Sequence, residues 1–80
     1  MKGEDEITLS RYEELKKING RWDISLVKHS ETGRICIRKT LPGKAGRIYR
    51  RIQQLQPFGV PEIYHVIDDE DVVIVIVEFI

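Results

Sequence analysis

The sequence predicts an α+β fold, a small antiparallel sheet of about five strands with one helix packed on it. Three stretches carry this expectation. Residues 21–29 and 35–41 alternate apolar and polar side chains on either side of the turn-forming "SETG", the pattern of a β-hairpin. "KAGRIYRRIQQLQ" sets Ile48, Ile52 and Leu55 at i, i+4 and i+7 with Tyr49 beside them, one apolar stripe of an amphipathic helix. "PEIYHVIDDEDVVIVIVEFI" then reads as two strands around an acidic turn at 68–71, a second hairpin. Helix and hairpins in this order make one layer of sheet and one of helix.

Taken in order, residues 1–9 form a charged leader, acidic at "GEDE" and expected to be flexible. The folded domain spans residues 10–80. "SRYEELKKING" is ambiguous on local evidence. Ser10 with Glu13 makes a capping-box pattern, and Tyr12, Leu15 and Ile18 have helical spacing, so the stretch reads locally as a short helix stopped by Asn19-Gly20. "RWDISLVKH" places Trp22, Ile24 and Leu26 on one face of a strand. Gly33 closes the following turn, where a glycine accepts positive φ. "RICIRKTL" returns antiparallel until Pro42-Gly43 breaks it, and Pro57 and Gly59 end the helix. The last strand is apolar on both faces and should be central or covered.

Eighty residues make one domain with a modest core. Thirteen basic and thirteen acidic residues cancel, so no global field argues for nucleic acid or a membrane surface. The single cysteine, Cys36, excludes an internal disulfide framework and suits a reducing cytoplasm; in an apolar strand it reads as a small buried hydrophobe. His29 and His65 are isolated from other metal ligands. The polar N-terminus is no secretory signal, and "VVIVIV" is too short to span a bilayer. The expected setting is cytoplasmic.

Lys39 stands out. It alternates with Ile35, Ile37 and Leu41, so it shares their sheet face. One reading is an edge lysine whose stem lies over apolar neighbours while its ammonium reaches water.

The other reading comes from a resemblance. "LVKHSETGRICIRK" (26–39), "GVPEIYHVIDDED" (59–71) and "VIVEFI" (75–80), in this order, resemble strands two to five of the N-terminal lobe of a bacterial eukaryotic-like serine/threonine protein kinase. The resemblance covers roughly residues 12–80. It implies that "YEELKKI" is the first strand of the sheet, whatever its local helical look. It also implies that Lys39 points into the cleft and contacts the α- and β-phosphates of ATP, as the one catalytic residue on this chain. Gly20 would lie in the phosphate loop, with Ile24, Ile37 and Val77 around the adenine. Glu78 and Ile80 would offer backbone groups to the purine edge. No residue here is expected to hold a metal; Mg²⁺ would need the C-terminal lobe.

Three departures stand beside the resemblance. The family's helix glutamate, partner of the lysine, falls on Ile48, and no Asp or Glu occurs from 42 to 61. The glycine-rich loop is reduced to "INGRWDI" with one glycine; there Trp22 either stacks on a nucleotide or packs on the sheet. The small residue two before the lysine is Ile37, whose extra methyl groups crowd an adenine. The C-lobe motifs for phosphoryl transfer are also absent from these eighty residues, so transfer belongs only to a full-length parent. The sequence therefore supports a nucleotide-binding kinase lobe or, alternatively, a pseudokinase or regulatory interaction domain without catalysis. A domain of another class, whose basic helix face (Arg47, Arg50, Arg51) meets an acidic partner or nucleic acid, is disfavoured by the balanced charge. A lobe without its C-terminal partner exposes apolar surface, so self-association to a dimer or larger species is expected.

Overall fold

Alternation is the organising fact of the sheet. The computed structural model describes residues 3–19 and 23–80, Asn19 by its backbone only; the readings of Gly20 and Trp22 therefore lie outside the described residues. Five strands, β1 (Tyr12–Asn19), β2 (Ile24–His29), β3 (Ile35–Pro42), β4 (Ile63–Asp69) and β5 (Val72–Glu78), form one sheet in the order β1-β2-β3-β5-β4. Every neighbouring pair is antiparallel. Helix α2 (Ala45–Leu55) connects β3 to β4. The expected α+β architecture is present.

Side-chain parity sorts the sheet into two faces. On the inner face, toward α2, Ile63, Val73, Val75 and Val77 are buried with Ile37, Leu41, Ala45, Tyr49, Ile52 and Val66 against them. On the outer face Val27, Cys36 and Ile76 are buried beneath Leu9, Tyr12 and Tyr64. Strand β5 lies between β3 and β4 with both faces covered, which is why "VVIVIV" has no polar face. The Cys36 thiol is fully buried, and its desolvation raises its pKa, with Arg34 opposing; it is the packed hydrophobe that its strand position predicts. Gly33 takes φ 73°, as its turn requires.

Three local features correct or go beyond the sequence reading. First, the acidic leader contains a helix. Residues Gly3–Ser10 form helix α1, with Glu4, Asp5 and Glu6 in its first turn, where carboxylates meet the positive end of the helix dipole. Leu9 anchors it on the outer cluster. Second, Ser10 does not cap a following helix. It ends α1, and its hydroxyl donates back to the Ile7 carbonyl at 2.7 Å. "YEELKKIN" is strand β1, because pairing along β2 outweighs a weak helical preference. Third, the stripe of α2 is rotated. Ala45, Tyr49 and Ile52 face the sheet, whereas Ile48 and Leu55 are 62% and 64% exposed. Buried Gly46 lets the helix settle close to Val73 and Asp68. Arg50 pairs with Asp68 on β4, and the Gln53 amide donates to the Ile63 carbonyl at 3.1 Å.

The helix ends at Leu55, two residues before Pro57, as the proline predicts. Gln56 adopts the left-handed conformation, φ 43° and ψ 60°, and its N–H closes the last turn on the Ile52 carbonyl at 2.8 Å.

Candidate functional site: the Lys39 cavity

Register places Lys39 among apolar neighbours. It sits opposite Ile24 on β2 and Val75 on β5, with Ile37 and Leu41 two residues away on the same inner face. The side chain is partly buried. Its ammonium lies 5.9 Å from the centre of the Tyr49 ring on α2, at the outer limit of a useful cation–π contact. Among the described residues no carboxylate comes within ion-pair distance of it; the pairs present are Arg11–Glu31, Lys17–Asp23, Arg38–Glu14 and Arg50–Asp68.

Lys39 lines an open cavity of about 290 Å³ between α2 and the sheet. Its other walls are Ile48, Tyr49, Ile52, Val60, Pro61, Ile63 and Val77. A single ammonium at the end of an apolar slot suits a ligand with a flat apolar part and an anionic group. The volume is at the small end for organic ligands.

The residues expected to surround a nucleotide are distributed unevenly. Lys39 and Val77 meet in the cavity. Ile24 and Ile37 flank Lys39 and Val77 through the register pairs Ile24–Lys39 and Ile37–Val77, but they are not walls of this cavity. Glu78 pairs with Cys36 at the outer-face register. Its N–H donates to the Glu62 carbonyl at 2.8 Å, and its carboxylate accepts from the Glu62 N–H at 3.2 Å. Ile80 lies beyond β5 and is 84% exposed. Tyr49, Ile52, Ile63, Val60 and Pro61 were not singled out from sequence as walls. The helical spacing of Tyr49 and Ile52 signalled burial but not what the buried face would enclose.

Helix α2 contributes no acidic side chain to this cavity. Ile48 occupies a wall one helix residue from Tyr49, so the group beside Lys39 is aliphatic and aromatic rather than anionic. Among the described residues no helix is long and apolar enough to cross a membrane. Compared with protein-family models, curated proteins and solved structures, the chain matches none of them.

Proposed function

We propose that this chain is the nucleotide-binding N-terminal lobe of a serine/threonine protein kinase, binding ATP through Lys39. Transfer of the γ-phosphoryl group would belong to a full-length parent whose C-terminal lobe holds Mg²⁺ and the catalytic aspartates. The observation that carries the reading is Lys39 itself, a third-strand lysine directed into an apolar cavity between helix and sheet. Val77 on one wall and Ile24 and Ile37 alongside give an adenine apolar company, and the ammonium gives the phosphates a compact counter-charge. The donor set fits a nucleotide in part: one cation, apolar walls, and no carboxylate on α2 to orient the lysine.

That last fact favours a second reading, a pseudokinase or regulatory domain, in which the same slot binds nucleotide weakly and without regard to metal, or not at all. The cytoplasm, where ATP is plentiful and a buried free thiol persists, is the proposed compartment for both.

Titrating the chain with ATP, with and without Mg²⁺, tests this. The kinase reading expects saturable binding that Lys39→Ala weakens about tenfold or more, the loss of one charge-assisted contact. Binding untouched by Lys39→Ala, or a stop codon directly after codon 80 in the gene, would overturn it. An open frame encoding a second lobe without catalytic aspartates would establish the regulatory reading.

The same proposal carries a prediction about assembly. Ile48, Leu55, Phe58, Val60, Phe79 and Ile80 are exposed, and Ile48 and Val60 border the Lys39 cavity. Light scattering coupled to size exclusion is expected to show a dimer or larger species that grows with concentration. A monomer at high concentration contradicts it, and Phe58→Ser, at a fully exposed residue, should shift the balance toward monomer.

A further inference from the structure

We propose that the outer face of the sheet, opposite α2 and apart from the Lys39 cavity, holds a binding site for a phosphate monoester. The cavity there has about 330 Å³ and is lined by Tyr12, His29, Thr32, Arg34, Tyr64 and His65. Every one of these side chains offers a polar hydrogen to an anion, and no carboxylate is a wall.

Two features of the fold assemble it. The first is a β-bulge in β4. Ile63 pairs with Val77 and His65 with Ile76, leaving Tyr64 as the extra residue. Ile63 and Val66 go to the inner cluster, so the bulge turns both Tyr64 and His65 outward. The second is curvature. β1 and β4 are opposite edges of the sheet, yet the rings of Tyr12 and His65 come within 6.1 Å. The Tyr12 ring also meets His29, its partner across β1–β2, edge-on at 5.0 Å. The sheet thus closes over its outer core and gathers residues from four segments into one hollow.

The donors are held in position. His29 Nδ1 accepts the backbone N–H groups of Glu31 and Thr32 at 3.1 and 3.2 Å. The ring's proton is therefore on Nε2, the nitrogen left to donate. Thr32 Oγ1 accepts from the Arg34 N–H at 3.2 Å, which leaves its hydroxyl hydrogen for a ligand. The Arg34 guanidinium lies 4.8 Å from the centre of the Tyr64 ring and has no carboxylate partner among the described residues. A guanidinium fixed on an aromatic face and lacking a counter-ion suits bidentate contact with phosphate oxygens. Burial raises the pKa of Tyr12 and of Tyr64, keeping both hydroxyls as donors. Burial first, and then His29, lowers that of His65, with Asp5 opposing. The nearby carboxylates of Asp5, Glu62 and Glu78 act on His65 and Tyr64 through space and repel an anion, so affinity rests on the direct donors. The two tyrosine rings favour a phosphate carried on an organic group over the bare ion.

Phenyl phosphate, inorganic phosphate and a tyrosine-phosphorylated peptide, each titrated into the intact chain and followed by NMR of the histidine rings and backbone amides, test the site. Saturable shifts at His29, His65 and Arg34 are expected, with phenyl phosphate binding more tightly than inorganic phosphate. Preference for the peptide over phenyl phosphate identifies a phosphoprotein as the source of the ligand, and equal affinity a small phosphate ester. Arg34→Gln should weaken binding about tenfold or more, and Thr32→Val, a second variant in the exposed turn, should weaken it less. Amide dispersion shows directly whether each variant is folded. Arg47→Gln on α2, outside both cavities, should leave the phenyl phosphate shifts at His29, His65 and Arg34 unchanged, which separates this site from non-specific attraction to the basic helix. No saturable shift, shifts centred on Lys39 and Val77, or equal losses with Arg34→Gln and Arg47→Gln would overturn the proposal.

Discussion

Ile76→Ala is expected to remove about 3 kcal/mol of stability, within the range for truncating a fully buried isoleucine. Ile76 is wholly excluded from solvent. It lies on the interior strand β5, between β3 and β4, and supports the outer cluster of Val27 and Cys36, with Leu9, Tyr12 and Tyr64 packed above. An 80-residue domain has about 4–12 kcal/mol in total, so this one change removes a quarter or more of it. Urea denaturation should show a lower midpoint with an unchanged slope. Cys36 gives an independent readout, since it sits in the same cluster with no exposed surface. A thiol reagent should reach it only through opening, and far faster in the variant. Ile76→Val should cost about 1 kcal/mol. A loss under about 1 kcal/mol for Ile76→Ala would mean that the outer face is a cover of loosely apposed side chains rather than a second core layer.

That outer layer marks the boundary of what the sequence makes legible. Strands β2, β3, β4 and β5 follow from alternation and turn residues, and the covered position of β5 follows from its lack of a polar face. Their local signals agree with the tertiary pairing. β1 does not follow, since Tyr12, Leu15 and Ile18 have helical spacing; the strand exists because β2 offers an edge to pair with, and because Glu14 is bound from the sheet by Ser25 at 2.8 Å and by Arg38 at 2.7 Å. Such long-range partners leave no trace in a local window. Helix α2 was legible as an element, but its buried face depends on Gly46 and on which neighbours the helix meets, so Ile48 and Leu55 stay outside. For the inner site, the inward direction of Lys39 could be read from parity. The absence of a carboxylate on α2 was equally plain, but the identity of the walls was not. The outer hollow was illegible altogether. It depends on a one-residue bulge and on the curl of the sheet, and neither has a sequence period.

Gly43→Ala is expected to cost about 1–3 kcal/mol, the range for forcing atoms into a packed contact. A Cβ there would stand 3.0 Å from the Asp71 carbonyl oxygen and 3.3 Å from its carbon. Both belong to backbone, which cannot rotate away as a side-chain tip can. The close approach is itself bonded: Gly43 N–H donates to the Asp71 carbonyl at 2.8 Å, and the Gly46 N–H donates to the Gly43 carbonyl at 3.0 Å. The link from β3 into α2 is thus fastened to the β4–β5 turn. Two other glycines separate crowding from other causes. Gly3 has nothing within 4 Å of a Cβ and lies in α1, so Gly3→Ala should be neutral or stabilising by up to about 1 kcal/mol. Gly59 also has open space but takes φ 83°, and Gly59→Ala should cost about 1–2 kcal/mol from backbone strain alone. Thermal or urea unfolding of the three variants should therefore rank Gly3 as least harmful and Gly43 at least level with Gly59. The consequence reaches the candidate nucleotide slot, because the fastened turn fixes where α2 begins and hence where Tyr49 stands relative to Lys39. If the proposed nucleotide-binding reading holds, Gly43→Ala should accordingly weaken ATP binding even in the fraction that remains folded. If it lowers stability and leaves that affinity intact, the position of α2 is set by the Arg50–Asp68 and Gln53–Ile63 contacts farther along the helix instead.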